Sequence, residues 1–347
     1  MIDGPIRTGF QHTNRLLVVK FRMTSDNELR KLLVVAGIVA AAAMLASHAM
    51  AESPRRLTED GRPKMTPVFT DGGRSLVYTA ETRFNQWSLL RIPFAAKTGD
   101  STSGGGATSR DSAAAVSGAA AGVMKPEALH PAATTSELAG SFSADGTIVA
   151  FVRNDGNLHV RLVIENRVTG ATAEVDPGGG FAGIQYAKVA PSGSHIVFAF
   201  PERGGSQQLF QIRSDGSNKQ PLTAGEGFDS CPAFSPDGKY LAFSSSRTGN
   251  FEIFIMSLDG KELRQITDHP GLDTHPAWSP DGRKLVYTSL VEGNYDIYLA
   301  TLDGAPPRRL TTHVERDDYP QWHPSGRQLV TVSERDGHSD LYAWDVE

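Results

Sequence analysis

Three aspartates occupy one register of this sequence: Asp229 (GFDSCP), Asp273 (GLDTHP) and Asp317 (ERDDYP), each three residues before a proline and 44 residues from the next. Glu137 holds the same register upstream, whereas Lys64 and Ile184 interrupt it. His269, His275 and His313 fall in the same stretches, Tyr319 follows Asp317, and His323 comes directly after Trp322. Carboxylates and imidazoles gathered in one place could hold a divalent cation through oxygen and nitrogen ligands, or offer a plain acidic surface to a partner. The competing reading is that each aspartate caps its own loop through side-chain to backbone hydrogen bonds. Asp229, Asp273, His275 and Asp317 are thus the candidate metal ligands, and together with Glu137 and Tyr319 they form the candidate binding set. No cofactor is otherwise expected.

The elements that position these residues repeat. The clearest copies read PAFSPDGKYLAF (Pro232 to Phe243) and PAWSPDGRKLVY (Pro276 to Tyr287), and the turn glycines Gly73, Gly146, Gly193, Gly238, Gly282 and Gly326 are spaced 73, 47, 45, 44 and 44 residues apart. Within a unit, PAWS opens a strand, and PDG turns it through a preset proline φ and a glycine that tolerates φ > 0. KLVYTSL (Lys284 to Leu290), NYDIYLATL (Asn294 to Leu302) and PRRLTT (Pro307 to Thr312) supply three more strands rich in branched and aromatic residues. Six four-stranded antiparallel units bury themselves best by radial stacking, so the sequence predicts an all-β, six-bladed β-propeller. Connections from each fourth strand to the next first strand then converge on the mouth of the central channel, opposite the PDG turns. The aspartate register falls in those connections. The aromatic register Phe69, Phe142, Phe234, Trp278 and Trp322, with Val189 in the third unit, could stack on sugars, but its fixed place in the first strand predicts packing between blades. Tyr295, Tyr298 and Phe254 are expected in the core by the same logic.

An open ring would leave two sheet edges free to pair with other chains. The last unit, ending HSDLYAWDVE, has no counterpart of PRRLTT, while SPRRLTEDG (Ser53 to Gly61) matches APPRRLTTH (Ala305 to His313). Pro54 to Thr58 is therefore predicted to pair with Leu341 to Val346 as the outer strand of the sixth blade.

The pattern of proline, aromatic residue, SPDG, alternating strand, D/E-I-Y and LDG resembles the TolB-like β-propeller family over residues 53 to 347. Its first three units vary the turn as TDGG (Thr70 to Gly73), SADG (Ser143 to Gly146) and APSG (Ala190 to Gly193). The resemblance is to the propeller alone, without the α/β domain that precedes it in the family's namesake. It implies an exported, non-enzymatic scaffold that binds a protein or peptide of the cell envelope through the channel-mouth loops. The alternative is a metal-dependent carbohydrate-active enzyme, a lyase or hydrolase, using the Asp and His set. No G-x-S-x-G, H-E-x-x-H, G-x-x-x-x-G-K-[ST] or paired C-x-x-C motif supports nucleophilic, zinc-hydrolase or nucleotide chemistry.

Upstream of the propeller, Arg30 and Lys31 precede the uncharged run Leu32 to Ser47 and the small-x-small site Ala49-Met50-Ala51. Residues 1–51 read as a leader with an export signal, compact if translation starts at Met23 and cleaved after Ala51, with an uncleaved anchor as the alternative. A periplasmic or secreted monomer without a stable membrane span follows. Of 34 basic and 39 acidic residues, six and three lie in the leader, so residues 52–347 carry 28 against 36, a net charge of −8 that disfavours nucleic acid. The tract around residues 98–125, rich in Gly, Ser and Ala, is a flexible insertion between the third and fourth strands of the first blade. Cys231, the single cysteine, is expected to fill a small buried space or to stand as a reactive free thiol.

Overall fold

The structure, a computed structural model, describes residues 54–95, 125–156, 159–176, 183–201, 205–225 and 227–346. The expected leader (1–51) and residues 98–124 of the expected insertion lie outside them. The described strands form six four-stranded antiparallel sheets. After β1 (Arg55–Arg56), blade one contains β2 (Lys64–Thr70), β3 (Ser75–Arg83), β4 (Gln86–Pro93) and β5 (Glu127–Ala128). Blade two contains β6 (Ser136–Phe142), β7 (Ile148–Asn154), β8 (Val160–Asn166) and β9 (Thr172–Val175). Blade three contains β10 (Gln185–Val189), β11 (His195–Pro201), β12 (Gln207–Arg213) and β13 (Gln220–Pro221), and blade four β14 (Asp229–Phe234), β15 (Tyr240–Ser245), β16 (Glu252–Ser257) and β17 (Leu263–Gln265). Blade five contains β18 (Leu272–Trp278), β19 (Lys284–Val291), β20 (Asn294–Thr301) and β21 (Arg308–Arg309); blade six contains β22 (Asp317–Trp322), β23 (Gln328–Ser333) and β24 (Asp340–Asp345).

Second and third strands are continuous apolar runs because both of their faces are covered by neighbouring blades. In HIVFAFP of β11, five consecutive residues are buried. The turns hold themselves: Ser279 Oγ donates to Asp281 Oδ1 (2.6 Å) and accepts the Lys284 amide (2.9 Å), Asp281 Oδ1 accepts the Arg283 amide (3.1 Å), and Gly282 takes φ +69°. The aromatic register packs between blades, as predicted. Trp278 joins Ala242, Ile253 and Leu285 in one cluster and donates its indole N–H to the Ala233 carbonyl of the preceding blade at 3.0 Å. Phe234 packs against Val197 and Leu209, and Trp322 against Val286, Ile297 and Leu299.

The sixth blade is completed by β1, which pairs antiparallel with β24 through Arg55 opposite Ala343 and Arg56 opposite Tyr342. The equivalence of SPRRLT and PPRRLT extends to individual atoms. In blade five, Arg309 donates Nη2–H to Asp296 (2.5 Å) and Nε–H to the Thr311 carbonyl (2.8 Å), and Thr311 Oγ accepts the Ile297 amide (2.9 Å). At the closure, Arg56 donates to Asp340 (2.6 Å) and to the Thr58 carbonyl (2.9 Å), and Thr58 Oγ accepts the Leu341 amide (3.0 Å). Lys64, which breaks the acidic register in the first unit, is buried and donates its ammonium to Asp340 at 2.9 Å. Burial opposes the charge on Asp340, yet the hydrogen bonds from Thr58, Arg56 and Lys64 leave its pKa below the usual carboxylate value.

Deleting residues 52–60 is expected to lower the melting temperature markedly, and an unchanged thermal melt would refute strand closure. Asp340→Ala removes the buried acceptor of Thr58 and Arg56 and leaves the Lys64 ammonium with only the half-exposed Asp60 as carboxylate, a change that costs up to roughly 3–5 kcal/mol, measurable by urea unfolding at neutral pH. Because the folded pKa of Asp340 is depressed, its contribution is present at neutral pH and is lost as the pH falls through that value, so the gap between wild type and variant should narrow in acid.

Candidate functional site

The first strands line the centre. Each contacts the next, β2, β6, β10, β14, β18, β22 and back to β2, in a closed ring. Every one carries a register shift against its second strand, the mark of a β-bulge. At each bulge one non-glycine residue is left-handed: Thr66, Ala139, Tyr186, Cys231, His275 and Tyr319, with φ between +49° and +55°. Such a conformation is costly for branched and bulky side chains and persists where the surrounding structure imposes it. These six residues, with Lys188, Gln321 and the prolines Pro67, Pro232, Pro276 and Pro320, line a cavity of about 40 Å³. A larger cavity of about 670 Å³ lies between blades four and five beside the SPDG turns, lined by Ser235, Tyr240, Arg264, Trp278 and Asp281 among others.

Of the candidate set, His275 and Tyr319 line the channel cavity, with ring centroids 4.2 Å apart. Asp229, Asp273, Asp317 and Glu137 are not in its wall. All four are buried on first strands rather than in open loops. Asp229 accepts both contacts of Arg247 Nη2, at 3.0 and 2.9 Å, and Asp317 accepts both of Arg335 Nη2, at 3.2 Å. Each arginine also donates Nε–H to a serine hydroxyl, Ser245 or Ser333, and lies over aromatic rings, so these pairs tie the first strand to the hairpin between the second and third. Glu137 accepts His130 Nδ1–H at 2.8 Å, and that contact is the chief cause of a raised His130 pKa. His323 packs edge-on against Phe69 at 4.9 Å, within the contact between blades six and one. Among the described residues no group of three or more His, Cys, Asp or Glu side chains is placed to share a metal ion.

The structure brings His275 together with residues outside the candidate set. Asp318, the neighbour of Asp317, accepts His275 Nδ1–H at 2.9 Å, the Thr288 hydroxyl at 2.7 Å, its neighbour's amide from Tyr319 at 2.7 Å, and the Arg316 guanidinium. Burial opposes its charge, but His275 and Arg316 bring its pKa well below the usual range. Cys231 on the adjacent first strand, and Tyr186 and Lys188 one blade further round, line the same cavity. One signal in the sequence marks this ring: the residue before the unit's proline, which is Thr66, Cys231, His275 and Tyr319 in four units.

Residues 224–347 match the TolB beta propeller domain family. A protein TolB homolog of Chlorobium chlorochromatii (strain CaD3) is 36% identical over 110 residues, which are 32% of this chain and 24% of that protein, so the match spans about a quarter of the curated relative's length. TolB from Acinetobacter baumannii has a TM-score of 0.56 at 15% identity, over 83% of this chain and 66% of that one. An oligogalacturonate lyase in complex with manganese has a TM-score of 0.55 at 17% identity, over 84% and 79% of the two chains. The closed ring of blades defines a six-bladed β-propeller. That propeller is TolB-like, as the repeat motifs imply.

Blade five lacks the arginine clamp, since Val291 stands where Arg247 and Arg335 stand 18 residues after their aspartates. Asp273 Oδ1 accepts the Ser289 hydroxyl at 2.5 Å, and Oδ2 is buried without a partner among the described residues. Burial, reinforced by the charge of Glu252 and opposed by Ser289 and Thr267, pushes its pKa up to about 6. A folded-state pKa above the ordinary 3.8 means that this group lowers stability progressively as pH rises from about 4 to 6. Asp273→Asn is expected to stabilise the protein at pH ~7.5 by about 1–3 kcal/mol, with the gain vanishing near pH ~4; denaturant unfolding at both values checks the sign, and a variant no more stable at the higher pH would contradict it.

Proposed function

We propose that this protein is an exported, non-catalytic TolB-like propeller that binds a protein or peptide of the cell envelope across its channel-mouth face. One observation carries the reading. Six large apolar side chains are exposed among the described residues, and four of them, Phe84 (91% exposed), Phe228 (47%), Leu272 (38%) and Val314 (84%), lie on that face. They sit at the second-to-third strand turn of blade one and at the entries to blades four, five and six, an arc over four consecutive blades. Exposed apolar groups collected on one face are a common mark of a protein-binding surface, and short loops on a rigid ring present them with little flexibility to lose. The carbohydrate-active alternative gains no comparable support, since Asp229 and Asp317 are engaged by arginines. No described helix is long and apolar enough to cross a membrane.

Replacing Phe228 and Val314 together by Asp is expected to abolish capture of a specific envelope protein by the purified propeller, read by pull-down from an envelope extract. Val168→Asp, at an exposed turn on the opposite face, serves as the control and should leave capture intact. Capture unchanged by the double variant would move the interface off the mouth.

A further inference from the structure

The wall of the channel cavity carries no carboxylate, in a chain whose residues 52–347 have a net charge of −8. It does carry two nitrogen groups that lack acceptors. Lys188 on β10 is largely buried and has no hydrogen-bond or ion-pair partner among the described residues. His275 on β18 gives Nδ1–H to Asp318 at 2.9 Å, and its Nε2 is buried with no hydrogen bond, not even to the Cys231 sulfur. Asp318 also receives the Arg316 guanidinium and the Thr288 hydroxyl, so one carboxylate stands against His275, Arg316 and Lys188. Burial opposes a second proton on the imidazole, but the neighbouring sulfur and carboxylate outweigh it. Desolvated cationic donors without an acceptor are costly, and the waist holds them in place. His275 and its neighbours Tyr186 and Tyr319 are fixed at the left-handed bulge positions. Pro67, Pro232, Pro276 and Pro320, which follow the bulge in four blades, have no N–H, so donors there come from side chains.

We infer that the channel waist binds a small monovalent anion, held between Lys188 Nζ and His275 Nε2 with Tyr186 and Tyr319 beside it. A cavity of about 40 Å³ has room for a few water-sized bodies, which suits a halide or a formate-sized carboxylate and excludes a phosphate ester or a sugar. Water could fill the space but brings no charge to offset the excess of cations. The same wall repels a divalent cation, so the site is opposite in sign to the one that the Asp and His register suggests. Burial pulls the Lys188 pKa down, so a bound anion draws a proton onto the amine and its affinity declines as the pH rises. The other titratable or charged groups facing the site are Tyr186, Cys231, His275 and Tyr319 in the wall, with Asp318 and Arg316 behind the imidazole.

The test is performed on the intact chain in gluconate buffer, with sodium chloride or sodium formate replacing sodium gluconate at constant ionic strength. Each small anion is expected to raise the melting temperature along a saturating curve, and a crystal soaked in bromide to show an anomalous peak at the waist. Lys188→Met should raise the half-saturating concentration at least about tenfold, as loss of a charged hydrogen-bond donor does. Lys239→Met, at an exposed SPDG turn on the far face, should leave it unchanged, and Cys231→Ser should retain binding. Melting that follows ionic strength alone, or bromide absent from the waist, overturns the proposal without recourse to any variant. So does a Lys188→Met protein that binds like the wild type, or saturable binding that appears only in Cys231→Ser, which would make the thiolate the counterion.

Discussion

The propeller depends on a non-covalent seam. Five blades are continuous in the chain, but the sixth exists only when β1 crosses from the N-terminal end to lie beside β24. That pairing is anchored by one buried carboxylate, Asp340, which receives Thr58, Arg56 and Lys64. The seam reuses the repeat's own chemistry, because Thr267 and Thr311 meet Glu252 and Asp296 in blades four and five as Thr58 meets Asp340. Lys64 is the one addition. It stands on β2 of blade one and ties that blade to the last strand of blade six, so the ring is fastened across its joint as well as within the sixth sheet. Lys64 also pairs with Asp60, so a closure that brings both carboxylates to the buried ammonium is preferred over one that leaves it with the half-exposed Asp60 alone.

Once closed, the ring sets the geometry of the channel. First strands whose bulge residues stand 44 to 73 residues apart in sequence are brought side by side, and each bends at a bulge that turns one residue inward with positive φ. Regularity in the bulge and variety in the residue give the channel its chemistry. Thr66 and Ala139 keep one side small, while Tyr186, Cys231, His275 and Tyr319 make the other polar and crowded. The two sides therefore differ although the backbone is the same in all six blades. The acidic register beside it has a different duty, since in blades four and six it clamps the first strand to the next hairpin through Arg247 and Arg335.

Much of this was legible in the residues. The PDG turns gave the period, the alternation gave four strands to a unit, and the match of SPRRLT to PPRRLT gave the closure, because these are local features whose physical meaning does not change with surroundings. The aromatic register was legible for the same reason, as a fixed position in a first strand always faces the neighbouring blade. The aspartate register was visible but its use was not. Its partner lies 18 residues downstream in the hairpin between the next two strands and is present in blades four and six only, so no spacing within one unit announces it. Lys64 appeared as an interruption of that register, and only its position against Asp340 gives it a purpose.

By itself the sequence determined the fold: the six units, the strands within them and the segment that completes the ring, all set by turn chemistry and hydrophobic alternation repeated along the chain. Tertiary structure alone decided which side chains meet. Cys231, His275 and Asp318 stand in three different units, and the spacing of 43 to 44 residues between them carries no information about contact until radial packing places three first strands next to one another. Burial in that shared channel then fixes their protonation, because desolvation and neighbouring charge act through space and not along the chain.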